Sequence, residues 1–221
     1  LHGIGPEVHV AEYEEIEKFP DNPTLKSVHR VARLVGRVRR ELSPPHPHWW
    51  QVSLRVTDSG LTTCAIPGIG EGERIPFSLE LDILRQRLVL LDDQPTSVEW
   101  PLRGLRVRSV RDELRTEIAD RGHSITLDQD EFEENSELAL DSVDAGKILR
   151  TLRSADGSLK SFRESVKGEC GPVHLWPHHF DLAFVRFTGR LAPNVDPSDL
   201  DSSREQVNHG FVFGDDIIPY P

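Results

Sequence analysis

The chain of 221 residues is 37% hydrophobic, enough to bury one core of ordinary size, and its formal charge of -11 argues against general nucleic-acid binding because most of the surface repels polyanions. No run approaches the roughly 20 apolar residues that span a bilayer, and the opening segment lacks the basic and apolar regions of a signal peptide, so a soluble, cytoplasmic protein with no membrane partner is expected. Two cysteines, Cys64 and Cys170, are too few for a disulfide framework and form no CxxC pair, which leaves reduced thiols as the expectation.

Residues 1–21 carry acids without a clear period and are predicted to form an arm, with a single domain over 22–221. Asn22 and Pro23 supply a helix cap and a first-turn proline, and Val28, Val31, Val35, Val38 and Leu42 recur every three or four residues. Pro44 and Pro45 end this amphipathic helix. Beside its apolar stripe, Arg30, Arg33, Arg37 and Arg40 form a second one. That stripe reads either as a docking face for an anion or acidic protein partner, or as a solvated flank paired with acids from elsewhere.

From Trp50 the period changes to two: Trp50, Val52, Leu54 and Val56 alternate with polar residues, and "DSG" turns the chain into "LTTCAIP", which makes Cys64 a strand residue. "GIGEG" at 68–72 lacks the Lys-Ser/Thr ending of a phosphate loop and reads as a hairpin connection. Ile75, Phe77, Leu79 and Leu81 alternate next, "RLVLL" returns beside them, and "TSVEW" adds a further strand. Ser109 and Asp112 have capping-box spacing before Val110, Leu114 and Ile118, with Gly122 placed to stop the helix. A longer helix is predicted from Asp141 or Ser142, carrying Ile148, Leu152, Ala155, Leu159, Phe162 and Val166 on one face. Residues 191–208, rich in Pro, Asp and Ser, read as a loop. The sum is an α+β domain: an antiparallel or mixed sheet built from hairpins, with helices packed on one side.

Three segments, "ELSPPHPHWWQVSLRVTDSGLTT", "FSLELDILRQRLVL" and "FRESVKGECGPVHLWPHHFDLAFVRFTGR", resemble in this order the uncharacterised prokaryotic family known as domain of unknown function 5996, and "GFVFGDDIIPYP" resembles its closing segment. The matching positions are His48, Trp49 and Trp50 in one motif, and Pro172, Val173, His174, Phe180, Asp181, Leu182, Ala183, Arg186, Phe187, Gly189 and Arg190 in the other. The resemblance implies no reaction. It also implies variation at His178 and His179, so a mechanism needing both would not extend across the family.

Taken as a strand, "HHFDLAFVRF" points His179, Asp181, Ala183, Val185 and Phe187 one way and Phe180, Leu182, Phe184 and Arg186 the other. His179 and Asp181 would lie side by side, a carboxylate orienting an imidazole. A hydrolase or lyase site is one expectation, with His174 or His179 as base and Asp181 as orienting group. A divalent metal such as zinc, held by His174, His178 or His179 and Asp181 with a distant His48 or His209, is another. Trp49 and Trp50, on opposite faces of their strand, would line a small-molecule pocket with His48 and Trp176, with Arg186 or Arg190 binding an anionic group. Otherwise these histidines and tryptophans are architectural. There is no GxSxG, and Cys170 near His174 reads as a buried inert thiol.

Overall fold

The structure is a computed structural model that describes residue 19 and residues 21–68, 72–94, 97–127, 136–199 and 201–213. Most of the expected arm, the middle of "GIGEG" and the closing segment from 214 lie outside the described residues. Phe19, within the expected arm, is buried.

Helix α1 (Pro23–Leu42) starts where the cap predicts: Asn22 Oδ1 accepts from the Thr24 and Leu25 amides at 2.9 and 3.0 Å, and Pro23 occupies the first turn. Two short strands follow, β1 (Arg55–Val56) and β2 (Gly60–Thr62), and then β3 (Ser78–Asp82), β4 (Arg87–Leu91) and β5 (Val98–Pro101). These five form one antiparallel sheet in chain order. Its register sets Leu61, Leu81, Leu88 and Trp100 in one row and Asp82 opposite Arg87 in the next. One face is therefore apolar and covered, and the other polar. Helices α2 (Val107–Asp120) and α3 (Ser142–Ser165) join α1, and one cluster of buried side chains runs through all three helices and the sheet.

A second antiparallel sheet places β7 (Asp181–Leu191) between β6 (His174–Trp176) and β8 (Arg204–Val212). Leu54 and Leu175 exchange backbone hydrogen bonds of 2.9 and 3.0 Å, which ties the entry of β1 to β6. On one face Phe184 and His209 meet Phe162 of α3, with ring centroids 5.9 and 5.1 Å away. Against the other face lies the turn at 47–52, with His48 on Phe187 and Trp50 on His174. Among the described residues no helix is long and apolar enough to cross a membrane.

Five expectations need correction. Residues 47–52 form a short 3-10 segment instead of a strand, because Pro47 opens a turn and His48 and Trp49 both adopt left-handed backbone with φ of 62° and 58°. Trp50 therefore does not alternate with Leu54 along one strand. Cys64, at φ 55°, is exposed and lies beyond the end of β2. Helix α2 begins at Val107 with no side-chain cap, since buried Val107 and the Arg106–Glu137 bridge set its start, while Gly122 at φ 79° ends it as expected. His179 lies in the turn 177–180, ahead of β7. The expected loop 191–208 ends early, because β8 begins at Arg204.

Candidate functional site

The face of the second sheet that meets the turn at 47–52 encloses, with that turn, a cleft of about 490 Å³. His174 and Trp176 of β6, Asp181, Ala183 and Val185 of β7, and Gln206 and Asn208 of β8 line it from the sheet. His48, Trp49 and Trp50 close it from the turn. Two motifs far apart in sequence thus meet.

His174 is the most constrained group. It is 4% exposed, with its ring centroid 5.4 Å from that of Trp50 and 5.6 Å from that of Trp176. Ser53 Oγ lies 2.8 Å from the Trp50 carbonyl and 2.5 Å from His174 Nδ1. The carbonyl can only accept, so the hydroxyl proton goes to it, and both contacts are satisfied when Nδ1–H donates to Ser53 Oγ. Nε2 is then the bare, accepting nitrogen. It is buried and has no hydrogen-bond partner. Burial, then the nearby guanidiniums of Arg55 and Arg39 and the His46 ring, push the imidazole down to a pKa of about 3, so it is neutral at physiological pH. Arg55 donates to the Val173 carbonyl at 2.5 Å and Arg39 to the Ser53 carbonyl at 2.7 Å, which fixes both cations close by.

The turn is held by its own contacts. The His48 amide donates to Asp201 Oδ1 at 2.7 Å, and the His48 ring packs on Phe187 with centroids 5.0 Å apart. His48 Nδ1 is a second buried imidazole nitrogen without a partner. Trp50 stacks on His46 at 4.9 Å, whereas Trp49 is 48% exposed beneath the Arg40 guanidinium. Neither tryptophan belongs to the central core. Asp201→Ala should cost about 1 kcal/mol by removing a charge-assisted hydrogen bond at the rim; urea unfolding reads that cost directly.

Asp181 lines the cleft, and burial raises its carboxyl above the usual range, against smaller lowering effects from its own backbone amide, His179 and His178. His178 and His179 are exposed in the turn, their rings 4.5 Å apart and nearly perpendicular. His209 sits on the α3 side of the sheet. Among the described residues no three His, Cys, Asp or Glu side chains converge in a group that could hold a metal ion, so His174, His178, His179 and Asp181 are not brought together as one ligand set. Arg186 and Arg190 also fall away from the cleft: Arg186 Nε donates to the Lys167 carbonyl at 3.2 Å, and Arg190 is exposed 3.8 Å from Glu205.

Sequence reasoning missed Ser53, Asp201, Gln206 and Asn208. Ser53 and His174 are 121 positions apart, and no local pattern marks Ser53 as the partner of His174. The other three lie in or beside the stretch taken for a loop.

A family model described as a family of unknown function, DUF5996, matches residues 14–221. No curated protein and no solved structure gives a significant match.

Proposed function

The chain belongs to the family of unknown function DUF5996, and from the chemistry of its cleft we propose that it binds a small molecule between the HWW turn and the PVHLWPHHFD hairpin. The observation that carries this reading is the pair of buried, unpartnered imidazole nitrogens, His174 Nε2 and His48 Nδ1, in one cleft walled by tryptophans. An unsatisfied buried polar atom costs about 1–3 kcal/mol. A bound ligand removes that cost by supplying the missing partners. Nε2 is an acceptor in the tautomer set by Ser53, so the ligand presents an N–H or O–H to it; the flat aromatic walls favour a ring.

Should this pocket also carry out a reaction, proton transfer falls to Asp181. His174, at a pKa of about 3, is too weak a base near neutral pH. Asp181, whose carboxyl burial raises, is the group in this cleft shifted in the direction that suits acid–base work.

The test is a fragment library of flat ring N–H compounds, each in an acidic and a neutral form, read by tryptophan fluorescence and ligand-observed NMR. His174→Asn keeps a donor toward Ser53 and deletes Nε2. Ring compounds should bind the unaltered chain and lose about tenfold or more in His174→Asn, with little change in melting temperature at pH 7. Binding that survives the substitution, or a library without a single binder, overturns the proposal in favour of an architectural role.

A further inference from the structure

The register of the second sheet decides what one ligand in the cleft can reach. His174 pairs with Ala183 and Ala183 with Gly210, so the row that runs from His174 across the sheet carries nothing larger than a methyl group. Trp176, Asp181 and Val212 form the next row on the same face. His174 and Asp181 therefore stand diagonally across the β6–β7 pair, with their side chains rooted about 7 Å apart. Both line the same cleft, beside Trp49, Trp50 and Trp176. A bicyclic ring with a short arm spans that separation.

Imidazoles aside, the charged side chains lining this cleft are the carboxylates Asp181 and Asp201, and no lysine or arginine joins them. The α1 arginines lie beyond its wall: Arg33, Arg37 and Arg40 line a neighbouring cleft of about 390 Å³, and Trp49, Trp176 and His178 form the partition common to both. Arg39 and Arg55 are tied to the Ser53 and Val173 carbonyls and line neither cleft. Asp201 is engaged at the rim, where its Oδ1 accepts from the His48 amide. Asp181 is different. Among the described residues its own amide is the one hydrogen-bond donor to its carboxyl.

Resting on the small-molecule reading above, we infer that the ligand is a ring amine, whose ring N–H donates to His174 Nε2 and whose protonated amino group pairs with the Asp181 carboxylate. The bare, buried Nε2 asks for a donor, and so does the carboxyl one row away. Burial raises the Asp181 carboxyl, which means that its ionised form lacks a compensating charge; a cation beside it supplies one. Ammonium and carboxylate form a charge-assisted hydrogen bond, and neighbouring indole faces attract the same cation. An acid meets the opposite field, because Asp181 and Asp201 repel it and no guanidinium within the cleft offsets them. The anionic group expected of the ligand in the sequence is thereby replaced by a cationic one.

The fragment library decides the matter once each set gains an amine, with tryptamine, 3-ethylindole and indole-3-propionate as the reference set of one ring and one arm. At about 0.15 M salt, where the Debye length is about 8 Å, tryptamine should bind the unaltered chain about tenfold tighter than 3-ethylindole, the effect of one charge-assisted hydrogen bond. Indole-3-propionate should bind most weakly. In Asp181→Asn the advantage of the amine should disappear while 3-ethylindole binds as before. If the three compounds bind the unaltered chain equally, the inference fails and the His174 pocket stands. If none binds, both fail. An advantage that survives in Asp181→Asn also overturns the inference, since the net charge of -11 would then be what attracts the amine. Salt draws the same distinction on the unaltered chain if the variant does not fold: at about 1 M an advantage due to net charge is screened away, whereas one due to pairing inside the cleft persists.

Discussion

Urea unfolding of the unaltered chain is expected to lose about 2 kcal/mol of stability between pH 7 and pH 5 through His174, and His174→Asn is expected to abolish that share of the loss. The unfolded imidazole titrates at its ordinary value of 6.5, while the folded one sits at about 3. Between those values the unfolded chain binds a proton that the folded chain refuses. Stability therefore falls as pH drops below about 6.5, by about 1.4 kcal/mol per pH unit, and levels off near pH 3. His29 is also shifted down by burial and adds loss of the same sign that persists in the variant. Asp181, shifted up, works in the opposite direction. Carboxylates held low by their partners, such as Glu41 and Asp92, lose their contribution only in more acid solution, so the falling part of the curve from pH 7 to 5 belongs to the histidines. Equal slopes for the unaltered chain and the variant across that interval would show that His174 titrates normally, and that its burial between Arg39 and Arg55 does not govern its charge.

Gly36→Ala is expected to destabilise the protein by about 2 kcal/mol and to weaken ligand binding, although alanine gains up to about 1 kcal/mol over glycine in a helix. A Cβ at this position would stand 2.3 Å from Pro177 Cγ and 2.9 Å from Pro177 Cβ, and a proline ring cannot rotate away. Overpacking of this kind typically costs about 1–3 kcal/mol and more when the neighbour is rigid. The turn at 177–180 must then lift from α1, stretching the hydrogen bond that His29 Nε2–H shares between the Pro177 and His178 carbonyls at 3.0 and 3.1 Å. Trp176 and His178 belong to both clefts, so binding should fall together with stability. A variant as stable as the parent in urea would mean that the hairpin accommodates the methyl group and that α1 does not set its position.

Elements whose signals are local were legible. The Asn22–Pro23 start of α1, the Asp141 cap of α3, the stop at Gly122 and the hairpin formed by β3 and β4 each depend on residues within a few positions of one another. Misreadings arose where a local pattern had a different tertiary cause. Trp50, Val52, Leu54 and Val56 alternate like a strand, yet Pro47 and two left-handed residues coil the first part, and its aromatic rings face the clefts instead of a sheet neighbour. Ser109 and Asp112 match a capping box inside a helix already started at Val107. Residues 204–208 of β8 read as loop in the sequence because β8 is an edge strand: Gln206, Val207 and Asn208 are exposed, so burial imposes no apolar alternation on them.

The candidate site divides in the same way. Composition and motif spacing singled out His48, Trp49, Trp50, His174, Trp176 and Asp181, and all six line one cleft. By itself, then, the sequence determined the α+β class, the helix boundaries marked by caps and the two segments that meet. Only the tertiary structure decided which nitrogen of His174 is bare, that Ser53 and two arginines keep it so, that Arg186 and Arg190 lie elsewhere, and that Arg33, Arg37 and Arg40 border a separate cleft that shares Trp49 and Trp176 with this one. The reason is physical: caps and periodicity act through bonds between near neighbours, whereas tautomer, charge state and cleft lining depend on partners separated by as many as 121 positions along the chain.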